Sequence, residues 1–308
     1  MHIVPQVHVH APAKINLRLL IVGVRGDGYH LLDSIVAPIR LFDTLVISIR
    51  RARTASVRLV CRPEGMVSAG PDNLAARAAA LYAARSGLRA RVEIELTKRI
   101  PAGAGLGGGS SDAAAVLRGL NALSDQPVPP ADLAAWALEI GADVPLFLCG
   151  RPARMQGIGE QLTPTSLPAA VRGPVVVTFP GTGLATKEVY AGYDDSLTSQ
   201  PVASRFPRLT TGRAPLRDWL RNDLEAAAFQ VSPKLRDLKR QLRMLGARGA
   251  MMTGSGSAIF GVWQRQDDAQ AAARYLRAVG VWACTTEILE RVPAVERDGQ
   301  HGGRSPSW

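Results

Sequence analysis

Between residues 91 and 123 the chain passes from "RVEIELT" through "KRIPAGAGLGGGSS" into "DAAAVLRGLNAL". Val92, Ile94 and Leu96 alternate with polar residues, the period of a half-buried strand. The alanine-rich run is a helix former, and its start is predicted at Ser110 or Ser111 as N-cap, with Asp112 in the first turn where the dipole favours an acid. A strand that enters a bare glycine loop and leaves as a helix restricts the chain to folds combining β and α elements. It also suggests chemistry. Backbone N–H groups of such a loop can converge on a phosphate, and the following helix N-terminus adds partial positive charge. Glycine is needed where side chains would block that approach. A flexible linker is the alternative, but linkers do not run from an alternating strand into a capped helix.

Three familiar phosphate loops do not account for it. No lysine in the sequence follows a glycine, so the G-x-x-x-x-G-K-[ST] loop is excluded. Gly103, Gly105 and Gly108 satisfy G-x-G-x-x-G, and Asp125 lies at about the spacing of a ribose-binding acid. Asp125, however, sits in "LSDQPVPP", where a dinucleotide fold requires the end of a second strand. A protein-kinase glycine loop is followed by a strand, not by an alanine helix.

The remaining pattern is mixed α and β. Strands are predicted within 8–21, broken at Pro12, and at 45–50 and 56–61, read as a strand pair. A helix over 73–86 is capped by Asp72 or Asn73 and ended by Gly87. Another covers 130–141, after which Pro145 is expected to hold Val144 extended. A hairpin turns at Gly157–Gly159, a buried strand spans 175–179, and a helix spans 232–246. A strand (257–263), a helix and a final strand close the ordered part, and 193–215 reads as loop. Composition shifts near residue 165, which divides the chain into 1–165, 166–290 and a polar tail, 291–308, expected to be disordered.

The net charge is +11. Arginines are spread along the chain, with only Arg50, Arg51 and Arg53 approaching a run, and aromatic content is 5%. A nucleic-acid surface needs clustered basic residues with rings between them. The field suits anionic small molecules instead. Cys61, Cys149 and Cys284 show no C-x-x-C spacing, and His8 and His10 alternate on a strand, so no metal or disulfide framework is indicated. No basic-then-apolar leader or long apolar run occurs, and a cytoplasmic location is expected.

"PAGAGLGGGSS" resembles the signature P-x-G-x-G-L-G-[GS]-[GS]-S of the GHMP small-molecule kinases. Four more segments resemble that family in its order: "APAKINLRL", "RGDGYHLLDSI", "IGADVPLFL" and "MMTGSGSAIFG". The likeness runs from about residue 10 to residue 285. The triple glycine with its double serine, together with "DGYHLLDS" and "GADVP", is similar to the branch acting on a cytidine-diphosphate-linked polyol. That branch phosphorylates the 2-hydroxyl of 4-diphosphocytidyl-2-C-methyl-D-erythritol in the non-mevalonate route to isoprenoids.

The resemblance implies an α+β, two-domain GHMP kinase fold. Its N-terminal domain is like domain 2 of ribosomal protein S5, its C-terminal domain is ferredoxin-like, and the active site lies in the cleft between them. It implies ATP as co-substrate, Mg²⁺ with the nucleotide, and neither nucleic acid nor membrane as partner. Lys14 and Asp143 are implied as the catalytic pair, with Asp143 taking the proton of the attacking alcohol. ATP would be held by Pro101, Ala102, Gly103, Ala104, Gly105, Leu106, Gly107, Gly108, Gly109, Ser110 and Ser111, with Asn73 and Lys98 flanking the adenine. Asn16, Tyr29, His30, Thr186 and Tyr190 would hold the acceptor. Tyr29 and one C-terminal ring, Tyr190 or its rival Tyr193, would sandwich the cytosine. Ser110 or Ser111 would touch the metal, whose other protein ligands stay unassigned. Each residue also has a plainer role available. Asp143 could be an Asx-type cap, Lys14 a solvated strand residue, Asn73 only a cap, and the tyrosines core packing. A GHMP kinase with another alcohol acceptor, or an RNA-binding protein without catalysis, are the competing readings.

Overall fold

A computed structural model describes residues 4–196 and 215–297 of the chain. Its backbone is a long antiparallel hairpin of β1 (Gln6–Val24) and β2 (His30–Arg51), paired from Gln6 opposite Ser48 to Val24 opposite His30. Pro12 does not break β1 as expected. It sits at a register shift between Pro12 and Ala13, where a bulge accommodates a residue that cannot donate to the ladder. "RGDGY" is the turn joining the strands, closed by Arg25 N–H donating to the Tyr29 carbonyl at 2.7 Å.

β3 (Ser56–Arg62), α1 (Leu74–Ser86) and β4 (Ala90–Thr97) form a crossover unit in which β3 and β4 run parallel. The strand pair expected between 45–50 and 56–61 is therefore corrected. The helical crossover returns the chain so that β4 inserts between β2 and β3, pairing with both. Asn73 caps α1 by accepting from Ala75 N–H, and Gly87 ends it in the left-handed region.

α2 (Gly108–Leu123), α3 (Pro130–Ile140) and α4 (Val144–Cys149) follow. α2 begins with Gly107 as N-cap rather than at Ser110 or Ser111, which leaves Ser111 and Asp112 inside the helix and buried. Val144 is not extended. It opens α4, with Pro145 in the first turn where its missing N–H is not needed. Small residues set the packing distance: a Cβ on Gly119 would stand 2.5 Å from Ile47 Cδ1, so α2 lies almost on the sheet. Ala113, Ala114 and Ala115 join Val7, Val9, Ile47, Ile94 and Leu96 in the core beneath it.

β5 (Ala153–Gly157) and β6 (Gln161–Pro164) make the expected hairpin, which extends the other end of β2. The second half contributes β7 (Pro174–Phe179), α5 (Thr186–Ser196), α6 (Leu216–Trp219), β8 (Arg221–Asn222), α7 (Glu225–Val231), α8 (Lys234–Met244), β9 (Gly249–Met252), β10 (Ile259–Val262), α9 (Gln266–Ala278) and β11 (Trp282–Glu287). A four-stranded antiparallel sheet, ordered β11-β7-β10-β9, carries the amphipathic α8 and α9. β8 runs beside β1, tying this half to the first sheet. α5 occupies 193–196 of the stretch expected as loop, and 197–214 lie outside the described residues.

Residues 291–297, expected as the start of a disordered tail, are held in place. Val292 N–H donates to the Gly150 carbonyl at 2.8 Å, and β12 (Glu296–Arg297) pairs with Val7 and His8. The exposed edge of β1 offers unpaired backbone groups, and this segment covers them. Residues 298–308 lie outside the described residues.

Candidate active site

The glycine loop is stitched on both sides. Lys14 N–H, on β1, donates to the Leu106 carbonyl at 2.9 Å, and Ala258 N–H, beside β10, donates to the Ala104 carbonyl at 3.0 Å. The C-terminal segment "MTGSGS" thus abuts the N-terminal loop, and Gly105 shows how closely. Its φ is +74°, and a Cβ there would stand 2.6 Å from the Thr253 carbonyl oxygen and 2.8 Å from that of Gly256.

Between the two loops lies a cleft of about 650 Å³. It gathers Lys14, Asn16, Asn73, Lys98, every residue from Pro101 to Ser110, Asp143, Thr186 and Tyr190. Segments distant in sequence therefore meet in one cleft. Asp143 occupies the N-cap position of α4 but makes no capping hydrogen bond, so the plainer role as an Asx cap fails. Lys14 is buried, and its Nζ donates to Asn16 Oδ1 at 2.6 Å. Burial pushes the Lys14 ammonium below its usual range, and the nearby Asp143 carboxylate opposes that shift. The plainer role of a solvated strand residue is excluded for Lys14.

Asn16 is itself fully engaged. It donates to Ser34 Oγ at 2.8 Å, and its backbone N–H donates to Thr253 Oγ1 at 3.0 Å. Asn222 holds the same C-terminal loop by donating to the Met252 and Gly254 carbonyls. Asn73 both caps α1 and donates to the Ser68 carbonyl at 2.6 Å, at the cleft end lined by Val67, Ser68, Asp72 and Leu74.

At the opposite end stand Leu19, Leu32, Met155, Ile158, Thr186 and Tyr190. Thr186 Oγ1 lies 2.9 Å from Ser255 Oγ, joining α5 to the C-terminal loop. The His30 ring lies 4.8 Å from the Tyr190 ring, tilted 41° to it, and meets Tyr193 edge-on at 6.1 Å, while His30 Nε2 is 2.7 Å from Asp194 Oδ1. Tyr190 is the ring that reaches the cleft; Tyr193 is buried in the core of the second half. Burial, with Asp143 nearby, pushes the Tyr190 hydroxyl up to about 12.

Three expected residues are placed differently. Tyr29 sits at the hairpin turn with 60% of its surface exposed and the Arg25 guanidinium 5.5 Å from its ring centre, outside the cleft lining. His30 borders the cleft through Tyr190 rather than lining it. Ser111 is buried behind the loop, and its Oγ has no hydrogen-bond partner. Lys98 lines the cleft, yet its Nζ is held by Asp43 at 2.5 Å and Asp112 at 2.7 Å. Neither acid was singled out with Lys98, because 55 residues separate Asp43 from it and the local sequence gives no sign of the pairing.

Two family models match the chain. The model of the GHMP kinases N terminal domain matches residues 73–151, and that of the GHMP kinases C terminal matches 211–281. A 4-diphosphocytidyl-2-C-methyl-D-erythritol kinase of Thermus thermophilus is 44% identical over 283 residues, covering 89% of this chain and 94% of the relative. The chain belongs to the GHMP kinases, in the family of that relative. A namesake from Geobacter sulfurreducens is 40% identical over 91% of this chain and 98% of its own. Among solved structures, a 4-(cytidine 5'-diphospho)-2C-methyl-D-erythritol kinase matches with a TM-score of 0.75 at 42% identity, covering 91% of this chain and 98% of that one. A homoserine kinase from Cytophaga hutchinsonii matches with a TM-score of 0.69 at 18% identity over 95% of this chain and 97% of its own, a likeness of fold alone. The two-domain GHMP fold expected from the sequence is thereby borne out, and this GHMP kinase is an ATP-dependent small-molecule kinase.

Proposed function

We propose that this GHMP kinase transfers the γ-phosphoryl group of ATP to the 2-hydroxyl of 4-diphosphocytidyl-2-C-methyl-D-erythritol, in the cytoplasm. The observation that carries the reading is the convergence of Lys14 and Asp143 with the glycine loop in one cleft. The loop amides and the N-terminus of α2 receive the ATP phosphates. The adenine lies toward Asn73, and the cytidine toward Tyr190 and His30.

Asp143 accepts the proton as the acceptor hydroxyl attacks phosphorus. Its carboxylate is available because it caps nothing. Lys14, anchored through Asn16, holds positive charge beside the transferring group, and most of the acceleration comes from such positioning and electrostatics. His30 and Tyr190 form a mixed polar and aromatic surface that suits a pyrimidine face and edge. Tyr29, one residue away at the hairpin turn, supplies the second ring when the acceptor binds.

Among the described residues no group of three His, Cys, Asp or Glu is placed to hold a metal. Magnesium would be the ion carried by the nucleotide phosphates, with Ser110 and Asp143 as the protein oxygens that line this part of the cleft. The chemistry it supplies there is neutralisation of phosphate charge.

A coupled ADP-release assay with Mg·ATP tests the reading, comparing the cytidyl acceptor with mevalonate, homoserine and no acceptor. Turnover with the cytidyl acceptor alone is expected. Turnover with a different alcohol would discard the cytidine assignment and keep the kinase.

A further inference from the structure

The ends of the glycine loop are joined by three buried side chains that the reaction itself does not employ. Asp43 lies on β2, Lys98 follows β4, and Asp112 lies in α2. Asp43 Oδ1 accepts the backbone N–H groups of Arg99 (2.5 Å) and Ile100 (2.9 Å), the two residues just before the loop. Its other oxygen takes Lys98 Nζ, and Lys98 reaches on to Asp112 Oδ2 on the far side of the loop. Residues 101–107 are thus the open part of a ring closed by Asp43, Lys98 and Asp112. Gly108 leaves room for this closure, since a Cβ there would stand 3.3 Å from Lys98 Nζ and 3.1 Å from Ile100 Cγ2.

We infer that the Asp43–Lys98–Asp112 cluster is a clasp that fixes the two ends of the phosphate loop and so sets its affinity for ATP. Lys98 is a positioning residue here and not a phosphate ligand, because its ammonium already donates to both Asp43 and Asp112. A buried ion cluster is a poor way to gain stability, since desolvation offsets the attraction. It is an effective way to fix geometry, because both lysine bonds and both amide bonds must form together. Loop amides held in register meet the phosphates without ordering cost at the moment of binding. Releasing one end restores that cost.

The clasp rests on the reading of the loop as an ATP cradle, and the test separates the two. Isothermal titration of the full chain with a non-hydrolysable ATP analogue, and with AMP, is run on wild type, Lys98→Met, Asp112→Leu and Asp112→Asn. The two apolar variants lose about tenfold or more in affinity for the ATP analogue, from the loss of hydrogen bonds to a charged group. They lose less for AMP, which engages fewer loop amides. Asp112→Asn keeps an acceptor for Lys98 and stays within about threefold of wild type. Should an apolar variant fail to fold, Asp43→Asn carries the same tenfold expectation, because its single carbonyl oxygen cannot serve both the Arg99 and Ile100 amides and Lys98. Folded apolar variants that bind the ATP analogue as wild type does, with only a lowered melting temperature, would overturn the clasp. Wild type that fails to bind the analogue would overturn the cradle and the clasp together.

Discussion

Replacing Gly105 with alanine tests the closeness of the two glycine loops. The residue has φ +74°, and its Cβ would lie 2.6 Å and 2.8 Å from the carbonyl oxygens of Thr253 and Gly256. Holding an alanine in the left-handed region costs about 1 kcal/mol. The overlap involves backbone on both sides, so no side chain can swing away to relieve it. Separating the loops adds overpacking of about 1–3 kcal/mol, for a total near 2–4 kcal/mol. Gly103→Ala is the matched control. Its φ is +68°, but its Cβ would meet only Gly183 Cα at an ordinary 3.5 Å, leaving the conformational term alone. At about 2–4 °C per kcal/mol for a large domain, Gly105→Ala melts about 4–16 °C below wild type and Gly103→Ala about 2–4 °C below it. Scanning calorimetry measures both. Gly105→Ala also raises KM for ATP, because parting the loops widens the cleft at its phosphate end. Equal melting temperatures for the two variants would refute the contact between loops as a constraint on the fold.

Asp143→Ala lowers kcat by about 10²–10⁴, the range of a lost general base, while ATP binding by titration stays near wild type; retained turnover would remove it as the base. Tyr29→Ala raises KM for the cytidyl acceptor more than KM for ATP and leaves the melting temperature unchanged, since the ring is 60% exposed. Equal rises in both KM values would count against stacking on cytosine. Burial, with Asp43 close by, raises the Asp112 carboxyl to about 8, so the folded protein keeps a proton there that the unfolded chain gives up near pH 4. The folded state therefore binds more protons across that window, and the stability from Asp112 is full below about pH 4 and lost as pH rises through about 8. Asp112→Asn, a neutral isostere, flattens the curve of unfolding free energy against pH between 4 and 8; an unchanged slope would show that Asp112 is ionised throughout.

Much of the fold was legible because its signals are local. The alternation of Val92, Ile94 and Leu96 reports a buried strand face, and the structure buries those three on β4. Asn73 and Gly87 bracket α1 as cap and stop residues do. The errors share a cause. Local sterics predict a strand break at Pro12 and an extended Val144 before Pro145, yet a bulge in a long hairpin admits one proline and the first turn of a helix admits the other. The insertion of β4 between β2 and β3 was not legible, because strand neighbours depend on the path of the crossover and not on the strands themselves. Residues 291–297 look like a polar tail, and only folding brings them their partners, the edge of β1 and the Gly150 carbonyl.

The site divides along the same line. Motif residues carry their chemistry in the sequence: Lys14, Asp143, Thr186, Tyr190 and the loop itself all reach the cleft. The residues that hold them do not. Asp43 becomes relevant only when β2 and β4 pair, bringing it under the backbone of Arg99 and Ile100. Thr253 and Asn222 matter because two sheets from different halves of the chain meet at Asn16 and at the C-terminal loop. Asp194 meets His30 across 164 residues. A motif fixes what kind of group stands at the reaction centre. Whether that group is anchored, and in which direction it points, is decided by hydrogen bonds between segments whose proximity exists only after folding. Lys98 shows the difference most plainly: its place before the loop suggests a nucleotide ligand, and its bonds to Asp43 and Asp112 turn it inward.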